Sequence, residues 1–124
     1  DAVSRTVTIT HHDKPWTVNS ARHASSHWVE QKRTKEWRTA FATLARMAGE
    51  EPFTRVTITV DHQTRTNRLP DTCSCVLAAK AGIDGLVDAG LLPDDSPQYV
   101  TSVTYLPPHR TGQDGLSITL TEVA

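Results

Sequence analysis

The sequence has few of the residues that would indicate a secreted, membrane or disulfide-stabilised protein. Its two cysteines, Cys73 and Cys75, lie two residues apart, which is poor geometry for a disulfide between them. No apolar run approaches the roughly 20 residues that span a bilayer. The N-terminal stretch DAVSRTVTIT has no signal-peptide pattern. We therefore expect a reduced, cytoplasmic protein that does not enter a membrane.

Several catalytic motifs are also missing. There is no Gly-rich phosphate-binding loop, and the Ser, His and Asp residues have no nucleophile-elbow motif beside them. Cys73 and Cys75 could be combined with His11 and His12 as zinc ligands, but no standard zinc spacing supports that site. The sequence therefore argues against a P-loop enzyme, an α/β-hydrolase and a zinc protein.

The formal net charge of −1 conceals two parts of opposite sign. Residues 1–70 hold eleven of the thirteen Lys and Arg residues against seven acids, a net charge of +4. Residues 71–124 hold two basic residues against seven acids, a net charge of −5. Such a division suits a nuclease, in which cations hold phosphates and carboxylates hold metal. Ordinary surface charge explains it equally well.

Four segments have the alternation of apolar and polar residues that is typical of β-strands. They are Val3–Thr10 and residues 55–60, 98–106 and 115–123. The stretch LPPHRTGQDG between the last two segments predicts a hairpin loop, so we expect those two strands to pair.

Helical spacing of apolar residues predicts a long first helix. Ser25 or Ser26 can cap its start, and it should run to about Met47 and end at Gly49. With a second helix in the acidic part, the element order is β-α-β-α-β-β. We expect an α+β fold in one domain, residues 1–124, with a mixed sheet and two main helices packed on it.

The second helix is expected from about Thr72 to Ala89, with Asp71 as its N-cap and Gly90 just beyond its end. Eighteen helical residues span about 27 Å. If the helix is straight and complete, one chain cannot bring Asp71 and Asp95 to the same metal ion. Such a site would need a later helix start, a break in the helix, or two subunits.

Two adjacent carboxylates, Asp94 and Asp95, follow this helix, although the C-terminal end of a helix disfavours negative charge. We predict that a bound cation compensates them. Lys80, at the edge of the apolar stripe, could be aimed at a scissile phosphate. Each residue also has a structural explanation. Lys80 can snorkel or pair with Asp84 one turn on, Asp71 can act only as a cap, and the Asp pair is ordinary turn chemistry.

The segment AAKAGIDGLVDAGLLPDDSPQYV resembles the signature segment of the RusA-type Holliday junction resolvases. The matching positions are Lys80, Asp84, Leu86, Ala89-Gly90 and Asp94-Asp95. The stretch LSITLTE resembles the last strand of that family, and VTIT with KPWTVNSAR resembles its opening strand and Pro-x-x-x-Asn loop. The resemblance spans nearly the whole chain, but only residues 80–95 are specific.

The resemblance implies a homodimer that uses Mg²⁺, or Mn²⁺, to cut four-way DNA junctions by symmetric nicks. It also implies a bacterial or phage-infected cell as the setting. The family Lys corresponds to Lys80 and its essential Asp to Asp95, with Asp94 in support. The family's Asp-x-Asp element, however, is replaced here by Ser74 and Val76, and the nearest carboxylate is Asp71.

We therefore expect Asp71, Asp94 and Asp95 as metal ligands and, with Lys80, as the catalytic residues. DNA would be held through its backbone by basic side chains. The candidates are Arg22, Lys32, Arg33, Lys35, Arg65 and Arg68.

Three functions are compatible with this sequence. The first is a Mg²⁺-dependent, structure-selective endonuclease that resolves four-way junctions. The second is a cleavage-deficient relative that binds DNA junctions or a protein, because the Asp-x-Asp element is missing. The third is a small α+β interaction protein that shares only the fold.

Overall fold

The computed structural model describes residues 4–18 and 27–124. Within these residues the chain forms five strands and two main helices in one small α+β domain. The strands are β1 (Thr6–His11), β2 (Val56–Thr64), β3 (Val100–Tyr105), β4 (His109–Arg110) and β5 (Gly115–Glu122). The helices are α1 (His27–Ala48) and α2 (Val76–Asp88).

The sheet is mixed, as the sequence predicts, with the order β1-β5-β2-β3. β5 is antiparallel to both β1 and β2, whereas β3 and the short β4 run parallel to β2 along its other edge. The predicted hairpin is therefore wrong. β3 and β5 pair with opposite edges of β2. β4 continues along the β3 edge, and residues 111–114 pass the end of β2, where the Thr111 N–H bonds to the Thr64 carbonyl.

One face of the sheet carries the core. Alternation along β2 turns Val56, Ile58 and Val60 toward the helices, and the register places Ile58 and Val60 opposite the buried Leu120 and Ile118 of β5. The other face is rich in Thr and Ser, and its side chains bond across the strands, as in the Thr8–Thr119 hydroxyl pair at 2.8 Å.

The two helices pack closely because α2 has glycines where α1 crosses it. A Cβ on Gly82 would meet the Phe41 ring at 3.0 Å, and one on Gly85 would meet the backbone amide nitrogen of Ala42 at 3.0 Å. Beside this crossing, the Arg38 guanidinium donates two hydrogen bonds to Asp88, at 2.6 and 2.8 Å. These contacts fix α2 against α1 and the sheet.

The first helix ends as predicted, at Ala48 before Gly49, whose φ is +64°. Its predicted caps, Ser25 and Ser26, lie outside the described residues, as does the start of the segment predicted as the first strand. No helix in the described ranges has the length and apolar character needed to cross a membrane.

The second helix begins later than predicted. Residues 72–75 form turns, Cys75 occupies the N-cap position without a side-chain cap, and the Asp71 carbonyl accepts only a turn hydrogen bond from Ser74, at 3.0 Å. The prediction that Asp71 caps the helix is therefore wrong. Val76 is 38% exposed and is not part of the buried stripe.

Candidate functional site

Helix α2 places Lys80 and Asp84 side by side. Residues four apart in a helix lie on the same face, one turn apart. The Lys80 Nζ donates a hydrogen bond of 2.7 Å to Asp84 Oδ1. The pairing with Asp84 that the spacing allows is therefore confirmed.

The turn after α2 brings Asp95 to the same ammonium group. Gly90 takes a φ of +81°, and the Leu91 N–H returns to the Leu86 carbonyl at 3.0 Å, which closes the helix as a Schellman motif. Leu91 and Leu92 are then buried in the core, which reverses the chain. As a result, Lys80 Nζ also donates a hydrogen bond to Asp95 Oδ2.

Lys80, Asp84 and Asp95 together form what we call the Lys80 cluster. Partial burial alone would lower the pKa of Lys80, but its hydrogen bonds to the two carboxylates raise it above the ordinary value. The hydrogen bond from Lys80 holds the pKa of Asp95 below its usual range. At neutral pH Lys80 is therefore protonated and Asp95 ionised, and the Lys80 side chain remains 59% exposed to an incoming anion.

The other predicted site residues lie outside this cluster. Asp94 and Asp71 are both exposed, and neither contacts Lys80. Across residues 4–18 and 27–124, no group of three or more His, Cys, Asp or Glu side chains is arranged to hold a metal ion. One chain does not assemble Asp71, Asp94 and Asp95 as a three-carboxylate site, so the role of Asp71 as a ligand stays a prediction that requires a second subunit.

The positions of the missing family carboxylates have other roles in this fold. Ser74 is buried, and its carbonyl accepts a hydrogen bond of 2.9 Å from the Val18 N–H. Val76 opens α2 with a partly exposed apolar side chain. Neither residue supplies a ligand that Mg²⁺ prefers.

Three of the predicted DNA-binding residues meet in one cleft. Arg33 of α1 and Arg65 and Arg68 of the loop after β2 line a cavity of about 730 Å³, and Lys14 lines it as well. We call this cavity the arginine cleft. None of the three residues of the Lys80 cluster lines it.

The remaining predicted cations are placed differently. Lys32 and Lys35 lie on α1 around the exposed Trp28, and Lys32 Nζ lies 3.9 Å from Glu36. Arg22 falls outside the described residues.

Sequence reasoning missed some residues that the structure brings to these sites. Asp84 matches the family signature and its helical spacing indicates the contact with Lys80, but it was not among the predicted metal ligands or catalytic residues. Trp16 and His62 line the arginine cleft and are 6% and 3% exposed. No sequence signal marked them, because they come from a loop and a strand that only the fold brings together.

Comparison with known proteins gives no family assignment: no family model matches the chain, and no curated protein matches its sequence. Function is therefore inferred from the two sites themselves.

Proposed function

We propose that the protein is a Mg²⁺-dependent, structure-selective DNA endonuclease that resolves four-way junctions by paired nicks. The observation that carries the proposal is the Lys80 cluster, in which a lysine from the middle of a helix is hydrogen-bonded to Asp84 and to Asp95 from the following turn. It brings together three of the residues on which the resemblance to the RusA-type resolvases depends, Lys80, Asp84 and Asp95. The arginine cleft supplies cations for the DNA backbone.

The donor chemistry of the cluster is compatible with Mg²⁺. This ion often takes only one or two carboxylates and keeps several waters, and Asp84 and Asp95 present two carboxylates around one point. When bound, Mg²⁺ would activate water and neutralise charge on the phosphate. Asp94, the exposed neighbour of Asp95, could hold a metal-bound water.

Lys80 can contribute a further hydrogen bond to this mechanism. Its ammonium has three donors, two of which are used by Asp84 and Asp95. The third can donate to a phosphate oxygen, where charge builds in the transition state. The two carboxylates keep the ammonium protonated and fix its position.

A homodimer belongs to the same proposal. Four-way junctions need two nicks, and a second subunit would provide the second active site and a further Asp71. Sedimentation of the full chain at micromolar concentration should give twice the monomer mass.

The decisive experiment incubates the protein with a labelled mobile four-way junction, with and without Mg²⁺, beside duplex and flap controls. We expect paired, metal-dependent nicks in the junction only. Asp95→Asn should lower the cleavage rate by about a hundredfold or more. Glu50→Gln, which alters an exposed acid after α1, is the matched control and should cleave as the wild type does. Junction cleavage by Asp95→Asn at the wild-type rate would refute the proposal.

A second candidate is favoured by one specific observation: among residues 4–18 and 27–124, no third carboxylate joins Asp84 and Asp95 beside Lys80. In that case the protein is a junction-binding module that no longer cleaves. Tight binding of the junction without nicks in either Mg²⁺ or Mn²⁺ would identify this function.

A further inference from the structure

The arginine cleft lies at the end of the sheet where β1 and β2 finish. Its walls come from the segment after β1, the first half of α1 and the loop after β2. Its volume of about 730 Å³ is within the range of small-molecule and cofactor sites, roughly 300–1,000 Å³. The cleft is therefore large enough for more than a simple inorganic anion.

Residues that carry buried polar atoms without partners are concentrated around this cleft. Five such side-chain atoms occur among the described residues, and three belong to residues that line it: Trp16 Nε1, Arg33 Nη1 and His62 Nδ1. Buried polar groups in proteins are nearly always hydrogen-bonded. The indole and guanidinium nitrogens can only donate. The group that satisfies them must therefore present hydrogen-bond acceptors.

The charges of the cleft favour an anion. Within the described part of the chain, the guanidinium groups of Arg33, Arg65 and Arg68 pair with no carboxylate. Four cations line the cleft, since Lys14 joins the three arginines, and they outnumber its three acids, Asp13, Glu36 and Asp114. Each of these acids also has a partner, and Glu36 lies 3.9 Å from Lys32 Nζ. Asp114 accepts a hydrogen bond of 2.9 Å from the Arg65 backbone N–H, and Asp13 accepts one of 2.8 Å from the backbone N–H of the next residue.

His62 adds a neutral polar group at the floor. Burial lowers its pKa, against the opposing effect of Asp114 and Asp61. At neutral pH its imidazole is therefore uncharged, and its Nδ1 can donate or accept according to the tautomer.

The remaining wall is apolar and aromatic. Trp16 and Trp37 meet edge to face, with ring centroids 5.8 Å apart, and Leu69 and Pro70 lie on the opposite loop. A phosphate ion alone has no apolar surface that could pack against such a wall. A nucleotide combines an acceptor-rich phosphate with a flat, largely apolar base.

We propose that the arginine cleft binds one nucleotide unit, with its phosphate toward Arg33, Arg65 and Arg68 and its base against the Trp16 wall. This inference rests on the proposed function only for the source of the nucleotide, which would be an unpaired residue of the branched DNA. The same chemistry could come from a free mononucleotide, and the test separates the two sources.

The test titrates the full-length protein with dAMP, inorganic phosphate and a single-stranded thymidine octamer, using tryptophan fluorescence and calorimetry. The fluorescence arm uses a Trp28→Phe background to remove the exposed indole. We expect dAMP or the octamer to bind at least tenfold more tightly than inorganic phosphate. Binding of the octamer alone assigns the site to a strand, and binding of dAMP as well assigns it to a free or terminal nucleotide.

Variants locate the binding. Arg33→Gln and Arg65→Gln should each weaken it about tenfold, because each removes charge-assisted hydrogen bonds. Trp16→Phe keeps an aromatic ring but removes the five-membered part of the indole with its Nε1 donor, and it should weaken binding several-fold. Arg55→Gln, at the opposite end of β2, is the matched control and should not change it. Arg65 lies on an exposed loop, so its variant remains informative if Arg33→Gln does not fold.

Two results would overturn the inference. One is equal affinity for inorganic phosphate and dAMP together with no gain for the octamer. The other is nucleotide binding that changes less than twofold in both Arg65→Gln and Trp16→Phe. Asp95→Asn separates this inference from the proposed function, since that variant should lose cleavage and keep nucleotide binding.

Discussion

At Gly85, the residue after Asp84, the two helices lie so close that we expect Gly85→Ala to destabilise the protein. A Cβ at this position would lie far inside van der Waals contact with the carbonyl oxygen of Arg38. It would also lie 3.0 Å from the Ala42 nitrogen and 3.0 Å from the Phe41 Cβ, where ordinary contact begins at 3.4 Å. The Arg38 and Ala42 atoms are backbone, so no change of rotamer can relieve these contacts.

The expected cost of Gly85→Ala follows from two opposing effects. Overpacking a core costs about 1–3 kcal/mol, and a backbone clash belongs at the upper end of that range. The higher helix propensity of alanine stabilises the folded state by about 1 kcal/mol relative to glycine, which partly offsets this cost. We therefore expect a net loss of about 2 kcal/mol in the free energy of unfolding. For a domain of this size, that corresponds to a Tm lower by roughly 6–10 °C.

Gly82→Ala is the matched control, three residues earlier in the same helix. The new Cβ would meet the Ile118 Cδ1 at 2.7 Å and the Phe41 ring at 3.0 Å, but all of these atoms belong to side chains, which can shift where the backbone beside Gly85 cannot. We expect this variant to stay within about 1 kcal/mol of the wild type. Urea and thermal unfolding followed by circular dichroism measure both. Equal stability of Gly85→Ala and Gly82→Ala would refute the reasoning.

Three further predictions concern single residues. Gly90→Ala should cost about 1 kcal/mol in unfolding free energy through its φ of +81° alone, because no described atom lies within 4 Å of the added Cβ; a neutral result would contradict this. At about pH 8, iodoacetamide should alkylate the exposed Cys73 much faster than Cys75, because burial raises the pKa of the Cys75 thiol to about 11; equal labelling by mass spectrometry would speak against it. The lowered pKa of Asp95 means that its pairing with Lys80 stabilises the fold above the unfolded pKa of about 3.9, and that this stabilisation is lost as the pH falls through the folded pKa. Asp95→Asn should therefore unfold with a flatter pH dependence below about pH 5, by roughly 1 kcal/mol or less because the pair is partly exposed, and an unchanged profile would exclude the effect.

The position of Asp95 explains why a carboxylate pair follows a helix C-terminus here. The helix end disfavours negative charge, and the sequence therefore predicts a bound cation beside Asp94 and Asp95, which stays a prediction. In the fold, the Lys80 ammonium compensates the charge of Asp95. Whether Mg²⁺ joins it is the question that the junction assay answers.

Local patterns were enough to predict most of the elements. Helix α1 ends before Gly49 and α2 before Gly90, because both glycines take the positive φ that closes a helix. The alternation in β2 identified its buried face. The later start of α2 was not predictable in this way, because an Asp after Pro is a good cap signal whether or not the following residues continue as helix.

Long-range pairing was decided only by the tertiary structure. The last two segments look like a hairpin in sequence, yet β3 and β5 pair with opposite edges of β2, since the choice between edges depends on the crossover through α2. The arginine cleft likewise joins Trp16, Arg33 and His62 from three separate parts of the chain. The sequence by itself determined the two helices, the apolar faces and the Lys80–Asp84 pair, because these depend on spacing within one element. The arrival of Asp95 at Lys80 and the assembly of the cleft depend on how separate elements pack, and spacing along the chain does not encode that.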